Sequence, residues 1–302
     1  NATVIKTKAE HALAQSFEAV AAKLPGGRAV ADARKAAIET FVASGLPHRR
    51  MEEWKYSDLR ASLKDVQPAA VPGGPRVTAS DVASALGALS RMDAYPIVFV
   101  DGTYRPDLSQ SGEIRGLEII PLAQALGKPG VGLLHDELPS HAAVIALNTA
   151  FVTDGAVVRV AQGARLAKPI LLIFARASAE GRLVTTRNIL TVGVDASVCV
   201  VEAHVVLKGA GAGQDNALGD ISVGEGAKLT HVKVALAGAG THHLSTAIVK
   251  LNAGGNYRSF QFTADTAFAR NSAFLTYVGE DAKADLSGAF LARGTEHIDS
   301  TL

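Results

Sequence analysis

Three side chains in the second half of the chain have the chemistry of metal ligands. Glu202 and His204 are two positions apart and would point to the same side of a strand, and His231 follows 27 positions after His204. Carboxylate oxygen and imidazole nitrogen together suit iron or zinc. Strict stacking of the repeats described below sets the two histidines about four residues apart along the strand, on the order of 13 Å. The three residues therefore stay weak candidates, and we favour an exposed polar ladder in which Glu202 stacks on Lys233 and Gln261.

The single cysteine, Cys199, is a candidate for sulfur chemistry. It lies in the apolar segment SVCVVEA, and no Lys, Arg or His stands beside it in sequence to lower its pKa. The segment predicts a packed, unreactive thiol, while an outward position stays open. One cysteine excludes an intramolecular disulfide, and with no signal sequence in view this favours a cytoplasmic protein.

The remaining polar motifs point to structure rather than catalysis. A phosphate-binding loop needs GxxxxGK followed by Ser or Thr, but Lys128 is followed by Pro129, so we do not expect the chain to hydrolyse ATP. His242 and His243 are predicted to lie in a loop. His297 and Asp299 would share one face of the last strand, where a structural or interface role is expected.

These side chains must be positioned by a series of repeats. Five similar turns, VAQGA, VGVDA, VGEGA, LNAGG and VGEDA, begin at Val160, Val192, Val223, Leu251 and Val278. Their starts are 32, 31, 28 and 27 positions apart, the spacing of units that bury their apolar faces by stacking on one another. The residues on both sides of each turn alternate between apolar and polar, which is typical of strands and not of helices. The sequence predicts a right-handed parallel β-helix in which the first residue of each turn points inward.

The first half of the chain has a different pattern. Apolar residues at helical spacing predict helices over residues 9–24 and 30–44, and a short helix capped by Ser80. The segment YPIVFVDGTY predicts a hairpin that turns at Asp101 and Gly102. We place the boundary between an N-terminal helical region, residues 1–145, and the β-helix, residues 146–302.

Composition sets limits on partners. The 302 residues are 48% hydrophobic, and 30 basic residues balance 29 acidic ones, so charge gives no indication of nucleic acid or an anionic membrane as a partner. No apolar run reaches the roughly 18 residues of a membrane-spanning helix.

One segment carries a family resemblance. The stretch GLPHRRMEEWKYSDL, residues 45–59, contains a Gly and a Pro, then a basic residue, then Glu53, Trp54, Lys55, Tyr56 and Ser57. It resembles the N-terminal signature of the SufB/SufD family of iron–sulfur cluster assembly proteins, most closely the SufD type. The FVDG hairpin and residues 147–170 also resemble that family. Alternating aromatic and charged residues predict that Trp54 and Tyr56 pack the helices onto the β-helix.

The resemblance implies a non-enzymatic scaffold subunit of a SufBCD-type complex, acting in cluster formation and iron acquisition. The implied partners are a SufB-like subunit and a SufC-like ABC ATPase, and a homodimer stays open. No resident cofactor is expected here; a transient iron–sulfur cluster, and as an open question reduced flavin, would belong to the complex. SufD-type chains continue into a helical domain that docks the ATPase, so we expect a C-terminally shortened chain. Its last strand, with His297, Ile298 and Leu302, is expected to contact another chain.

The alternative class is enzymatic, because β-helices also occur as polysaccharide lyases and as hexapeptide acyltransferases. A lyase groove needs stacked aspartates with a basic residue nearby, and the repeat columns show no such ladder. An acyltransferase needs a six-residue repeat, which the alternation does not keep. A homo-oligomer without a cofactor is the third possibility.

Overall fold

The repeats form a parallel β-helix made of two facing sheets. The structure is a computed structural model that describes residues 6–128 and 143–301. In chain order, β1 to β14 span Tyr95–Val100, Thr103–Tyr104, Leu117–Pro121, Ala156–Val160, Ile170–Arg176, Leu183–Val192, Ser197–Val206, Gln214–Val223, Lys228–Leu236, His242–Leu251, Asn256–Ala264, Phe268–Tyr277, Lys283–Leu291 and His297–Thr301. The first sheet has the order β14-β12-β10-β8-β6-β4-β3, and the second has the order β13-β11-β9-β7-β5-β1-β2. From β4 onward the chain alternates between the sheets, so each pair of strands is one coil.

The tight turns explain why the repeated motif is conserved within the chain. Each turn links the end of a first-sheet strand to the start of a second-sheet strand, and its fourth residue has a left-handed backbone. These residues are Gly163 (φ 68°), Asp195 (φ 55°), Gly226 (φ 63°), Gly254 (φ 63°) and Asp281 (φ 58°). Glycine takes this conformation without steric cost, and Asp tolerates it better than most residues. The alternation of Gly and Asp in this column therefore follows from the turn geometry.

The predicted inward column is confirmed for its first four members. The parallel ladders align Val160 with Val192, then Val223, then Leu251, and all four are buried in the core between the sheets. The prediction for Val278 is wrong, because the ladder aligns Leu251 with Tyr277 instead. Val278 is 54% exposed. The last turn, residues 278–282, is one residue longer than the four-residue turn at 252–255. Aligning the repeats on their turns therefore pairs Leu251 with Val278, one position beyond its true partner.

The prediction of an exposed polar ladder at Glu202 is wrong, because Glu202 lies on the inner face of the second sheet. Leu171 and Val201 lie on the outer face, where they pack with Val82 and Leu86 of the short helix Ala79–Leu86. Glu202, predicted to be exposed, therefore points into the lumen, the space between the two sheets. Alternation of apolar residues could not identify the inner face, because a neighbouring helix buries the outer face as well.

The N-terminal segment covers the outside of the β-helix and closes part of it. Helices α1 to α6 span Lys8–Val20, Arg28–Ser44, Leu59–Ser62, Ala79–Leu86, Leu122–Ala125 and Ala143–Phe151. The first two confirm the predicted helices, whereas α4 is capped by Thr78 and not by Ser80. The hairpin of β1 and β2 is confirmed, and β1 continues the second sheet through its parallel pairing with β5. No helix in the described parts of the chain is long and apolar enough to cross a membrane.

Candidate functional site

The lumen is divided into an apolar half and a polar half. Beside the tight turns, the inward residues are aliphatic, as with Val192, Val198 and Val223. At the opposite side, where longer loops connect the coils, the same alternation brings polar residues inward. They comprise Glu202, His204, His231, Lys233, Asp215, His243, Ser245 and Asn271, all buried or nearly so. Burying polar groups costs free energy unless they are hydrogen-bonded or paired. This half of the lumen concentrates such groups, and it is therefore the best candidate for a functional site.

Glu202 is the centre of the first polar cluster. Its Oε1 lies 2.7 Å from His204 Nε2, and its Oε2 lies 3.4 Å from His231 Nε2. Lys233 Nζ stands 3.9 Å from Oε1, and Asn188 donates a 3.3 Å hydrogen bond from the first sheet to Oε2. One buried carboxylate is thus surrounded by imidazole, ammonium and amide groups.

These partners keep Glu202 ionised. Burial alone would raise the pKa of Glu202, but the charge of Lys233 and hydrogen bonds from His204 and His231 outweigh burial and hold that pKa well below its ordinary value. Tyr257 accompanies the cluster, with its hydroxyl 3.1 Å from His231 Nδ1. Burial raises the pKa of Tyr257 to about 12, so its hydroxyl keeps its proton.

A second cluster lies next to the first. Asp215 Oδ2 is 3.2 Å from Arg176 Nη1 and 3.5 Å from His243 Nδ1. Burial opposes ionisation of Asp215, yet His243 and Arg176 lower its pKa; the pKa of His243 itself is lowered, chiefly by burial. The rings of His204 and His243, 4.8 Å apart, join the two clusters. The polar half of the lumen is therefore one continuous, charge-balanced network.

The three candidate metal ligands are closer together than the repeat spacing implied. His204 and His231 are four residues apart in register, as predicted, because His231 aligns with Val200. Glu202 lies between them on the same inward face, however, and its side chain reaches both rings. No group of three His, Cys, Asp or Glu residues in the described segments is placed to hold a metal ion. Metal binding at Glu202, His204 and His231 stays a prediction.

The second cluster is not among the sequence predictions. The prediction of a loop at His243 is wrong, because β10 begins at His242 and His243 points inward. The period of two, extended backwards from Leu251 through Val249 and Ala247, reaches His243 and is the signal for its inward position. His242 points outward, and its Nε2 lies 2.9 Å from the hydroxyl of Ser62.

The signature segment forms a contact with the last coils rather than a catalytic site. Trp54 is 7% exposed, and the guanidinium of Arg270 on β12 lies 4.1 Å from its ring centroid. Arg270 also pairs with Asp299 on β14 and donates to the carbonyl oxygen of Glu53. This confirms Trp54 as an anchor. Tyr56, predicted to pack as well, is 78% exposed.

Ser57, His297 and Asp299 superficially suggest a hydrolytic triad. Ser57 donates its hydroxyl hydrogen to Asp299 Oδ2 at 2.6 Å, and its oxygen is 2.9 Å from His297 Nε2. A triad requires His to accept the Ser proton and Asp to orient the His. Here Asp accepts directly from Ser, so the trio ties the signature segment to β14.

The other predicted site residues are less informative. Cys199 lies on the outer face of β7 beside the aliphatic cluster under α4, and burial raises the pKa of its thiol. Ile298 is partly buried, and its alignment with Ala269 places it on the lumen side of β14. Leu302 lies outside the described residues.

Sequence comparisons relate the chain to known proteins. Residues 174–302 match the family described as SUF system FeS cluster assembly, SufBD core domain. The chain is 23% identical over 279 residues to an iron–sulfur cluster assembly SufBD family protein of Synechocystis sp., covering 88% of this chain and 61% of that protein. It is 28% identical over 211 residues to the iron–sulfur cluster assembly protein SufD of Escherichia coli, covering 69% of this chain and 47% of SufD. The chain thus spans roughly half the length of these relatives. Together, these matches show that residues 174–302 are similar to the SufBD core domain and that the chain is similar to iron–sulfur cluster assembly proteins of the SufB/SufD family, a SufD among them.

Proposed function

We propose that this chain is a non-enzymatic scaffold subunit of a SufBCD-type complex, and that it supports cluster formation and iron acquisition with SufB-like and SufC-like partners. The observation that carries the proposal is the match of residues 174–302 to the SufBD core domain, because those residues contain the coils from β6 onward. The iron–sulfur cluster is the cargo of this assembly. The chain has a single cysteine, Cys199, which suits the reducing environment of the cytoplasm, and we place its activity there.

The last coils are the surface that we assign to the SufB-like partner. Of the eight exposed large hydrophobic residues among those described, six lie between positions 260 and 291. They are Phe260, Phe274, Tyr277, Val278, Phe290 and Leu291. A concentration of exposed apolar side chains on one part of the β-helix suits contact with a partner subunit.

Co-purification tests the scaffold role. The chain, tagged at its N-terminus, would be expressed with SufB-like and SufC-like proteins encoded in the same genome. We expect the SufB-like subunit to co-elute, and the assembly to gain the visible absorbance of a cluster when iron, sulfide and ATP are supplied. Leu291→Lys should reduce co-elution, because it places a charge in the proposed contact. Val194→Lys, an exposed aliphatic residue in a distant turn, is the matched control. Failure of both partners to co-elute with the parent chain would rule out the proposed complex.

A further inference from the structure

The N-terminal end of the lumen, at the opposite end of the β-helix from the last coils, borders a cavity. The cavity has a volume of about 700 Å³ and lies between β1, β2, β3 and the loop of residues 110–116. That volume is typical of pockets that bind ligands. Apolar residues of the strands and charged residues of the loop line it, namely Ile97, Tyr104, Leu117, Ile119, Glu113 and Arg115. The two loop charges have opposite signs, so the loop favours neither an anionic nor a cationic ligand.

The apolar side chains of the lumen are incompletely covered at this end. The ladder between β3 and β4 joins Leu117 to Val160 and Ile119 to Val158. Val160 and Val158 are 3% and 1% exposed, whereas Leu117 and Ile119 are only half-buried, although they pack against the same core. In the part of the chain that the structure describes, no strand lies beyond β3 in the first sheet. A further apolar layer therefore has room to pack here.

The hydrogen bonds between β3 and β4 define which backbone groups of β3 are already used. Ala161 N–H donates to Gly116 O at one end of the pairing, and Leu122 N–H donates to Gly155 O at the other. Antiparallel strands exchange hydrogen bonds at every second residue. Positions 118 and 120 of β3 therefore also bond to β4, and the backbone groups of positions 117 and 119 point to the opposite side.

That opposite side of β3 offers a donor and an acceptor at Ile119. The Leu117 N–H is bonded to Ile114 O at 3.0 Å, the one position where the loop pairs with β3. The N–H and C=O of Ile119 have no partner strand within the described segments. Unpaired donors and acceptors on a strand edge are complementary to the backbone of another extended chain. The edge therefore selects a polypeptide rather than a small apolar molecule.

Glu118 gives this edge a preference for charge. It lies on the outer face between Leu117 and Ile119, and its Oε2 is 2.8 Å from Arg159 Nη1 on β4. Both side chains are about half exposed, so water weakens this pair and leaves Glu118 able to interact with a second cation. A strand added to β3 would place one residue beside Glu118, and opposite charges at such cross-strand positions stabilise the pairing. A lysine or arginine is therefore favoured there.

We propose that the N-terminal end of the lumen binds an extended segment of another protein, which adds to β3 as an eighth strand of the first sheet. The backbone of the segment bonds to Ile119, its apolar side chains cover Leu117 and Ile119, and a basic residue between them lies beside Glu118. This site and the surface assigned to the SufB-like partner are at opposite ends of the β-helix. Binding requires this chain alone, so the scaffold role and the present proposal can fail independently.

Fluorescence anisotropy of labelled peptides with the purified chain tests the proposal. The probe is a short peptide in which valine alternates with threonine and the central residue is lysine. We expect saturable binding with a Kd below about 1 mM, and binding about threefold weaker when the central residue is glutamate. No binding of the lysine peptide up to about 1 mM would overturn the proposal, as would equal affinity for the lysine and glutamate peptides.

N-methylated peptides distinguish strand addition from unspecific apolar contact. Two versions of the lysine peptide carry N-methyl groups on alternate amides, one version on each of the two alternating sets. Only one set of amides can face β3, because the amides of an extended chain point alternately to its two sides. We expect one version to lose at least about tenfold in affinity and the other to bind like the unmethylated peptide. Equal affinities of the two versions would refute strand addition.

Variants of the chain locate the site. Ile119→Pro removes the free N–H of β3 without removing a hydrogen bond to β4, so it should weaken binding of the lysine peptide by at least about tenfold. Because proline can also disturb β3 itself, Glu118→Lys serves as a second variant that changes only an exposed side chain. It should reverse the preference, so that the glutamate peptide binds more tightly than the lysine peptide.

The matched control is Glu225→Lys, the same change at an exposed residue in a distant turn, which should keep the preference for lysine. Circular dichroism establishes that each variant is folded. An unchanged preference for lysine in a folded Glu118→Lys chain would overturn the proposal.

Discussion

At the residue scale, the dominant feature is a carboxylate placed where a β-helix usually carries aliphatic side chains. Glu202 is 3% exposed, and its charge is tolerated because Lys233, His204, His231 and Asn188 all contact it. Ionised groups are rarely buried unless they are paired and hydrogen-bonded, and removing one partner leaves the others uncompensated. The cluster therefore makes local stability depend on protonation.

Replacing Glu202 should change both stability and its pH dependence. The folded-state pKa of Glu202 lies below its ordinary value of 4.5, so its charge stabilises the fold above that value, and this is lost as the pH falls through the lowered pKa. We expect Glu202→Gln to lower the free energy of unfolding by about 3–5 kcal/mol at neutral pH. Its stability should also fall less steeply than that of the parent below about pH 4.5. Urea unfolding at a series of pH values measures both effects, with the exposed Glu225→Gln as the control; parallel pH profiles for parent and variant would contradict the prediction.

Cys199 should react slowly while the chain is folded. Burial raises the pKa of its thiol, which lowers the fraction of reactive thiolate. We expect Ellman's reagent to modify the folded chain at least about tenfold more slowly than the urea-unfolded chain. Similar rates in the two states would mean that the thiol is freely accessible.

At the scale of the elements, two features hold the β-helix together, the stacked inner column and the anchored signature segment. The column stabilises the β-helix because parallel strands in successive coils place an apolar side chain at the same inward position. The signature segment is anchored to the β-helix because a 3-10 turn at Glu52–Trp54 places the Trp54 ring against Arg270 on β12.

The column predicts a contrast between two valines that occupy the same place in the turn motif. Val223 is fully buried and Val278 is largely exposed. We expect Val223→Asp to cost about 3–5 kcal/mol in the free energy of unfolding, because it places an unpaired charge in the core. Val278→Asp should stay within about 0.5 kcal/mol of the parent. Denaturant unfolding of both variants provides the test, and equal destabilisation would show that the register of the last coil is wrong.

The signature segment predicts a second contrast. Trp54→Ala should destabilise the fold by about 3–5 kcal/mol, since it removes a buried ring and its contact with Arg270. Tyr56→Ala, two positions away and exposed, should cost no more than about 0.5 kcal/mol. If thermal melts rank the two variants in the opposite order, Tyr56 and not Trp54 is the structural anchor.

At the scale of the whole molecule, charge and apolar surface are unevenly distributed. Buried charges lie inside the β-helix, as with Glu202, and also where the helices pack, as with Arg34 on α2. The helices cover the outer face of several strands, and exposed apolar residues gather on the last coils. This asymmetry supports the assignment of those coils to a partner chain, including β14 with His297 and Ile298.

A lysine on β14 tests that assignment. Ile298→Lys should shift the association of this chain with itself or with a SufB-like subunit toward the monomer, because a charge at the contact opposes burial. Sedimentation velocity measures the change, with Val194→Lys as the control on a distant turn. An unchanged oligomeric state for Ile298→Lys would place the interface elsewhere.

The repeat pattern predicts the main features of the architecture. The turns recur every 27 to 32 residues and carry Gly or Asp at the fourth position, residue types that accept the left-handed backbone found there in each coil. Period-two alternation then identified the strands and the inner column at Val160, Val192 and Val223. The segment around the single Trp54 resembles a family signature, and its fixed spacing is rare by chance. Each of these features is local, or repeats locally.

The polar clusters, in contrast, depend on contacts between distant parts of the chain. Whether Glu202 points into the lumen or toward solvent depends on α4, which buries the outer face of the second sheet and removes the contrast between apolar and polar faces. The meeting of Glu202 with His231, of Asp215 with His243, and of Ser57 with Asp299 likewise depends on side-chain reach across coils and between distant segments. Repeat spacing fixes Cα positions along a strand. It does not fix where long side chains end, and that is why the register was predicted for most coils while the network inside them was not.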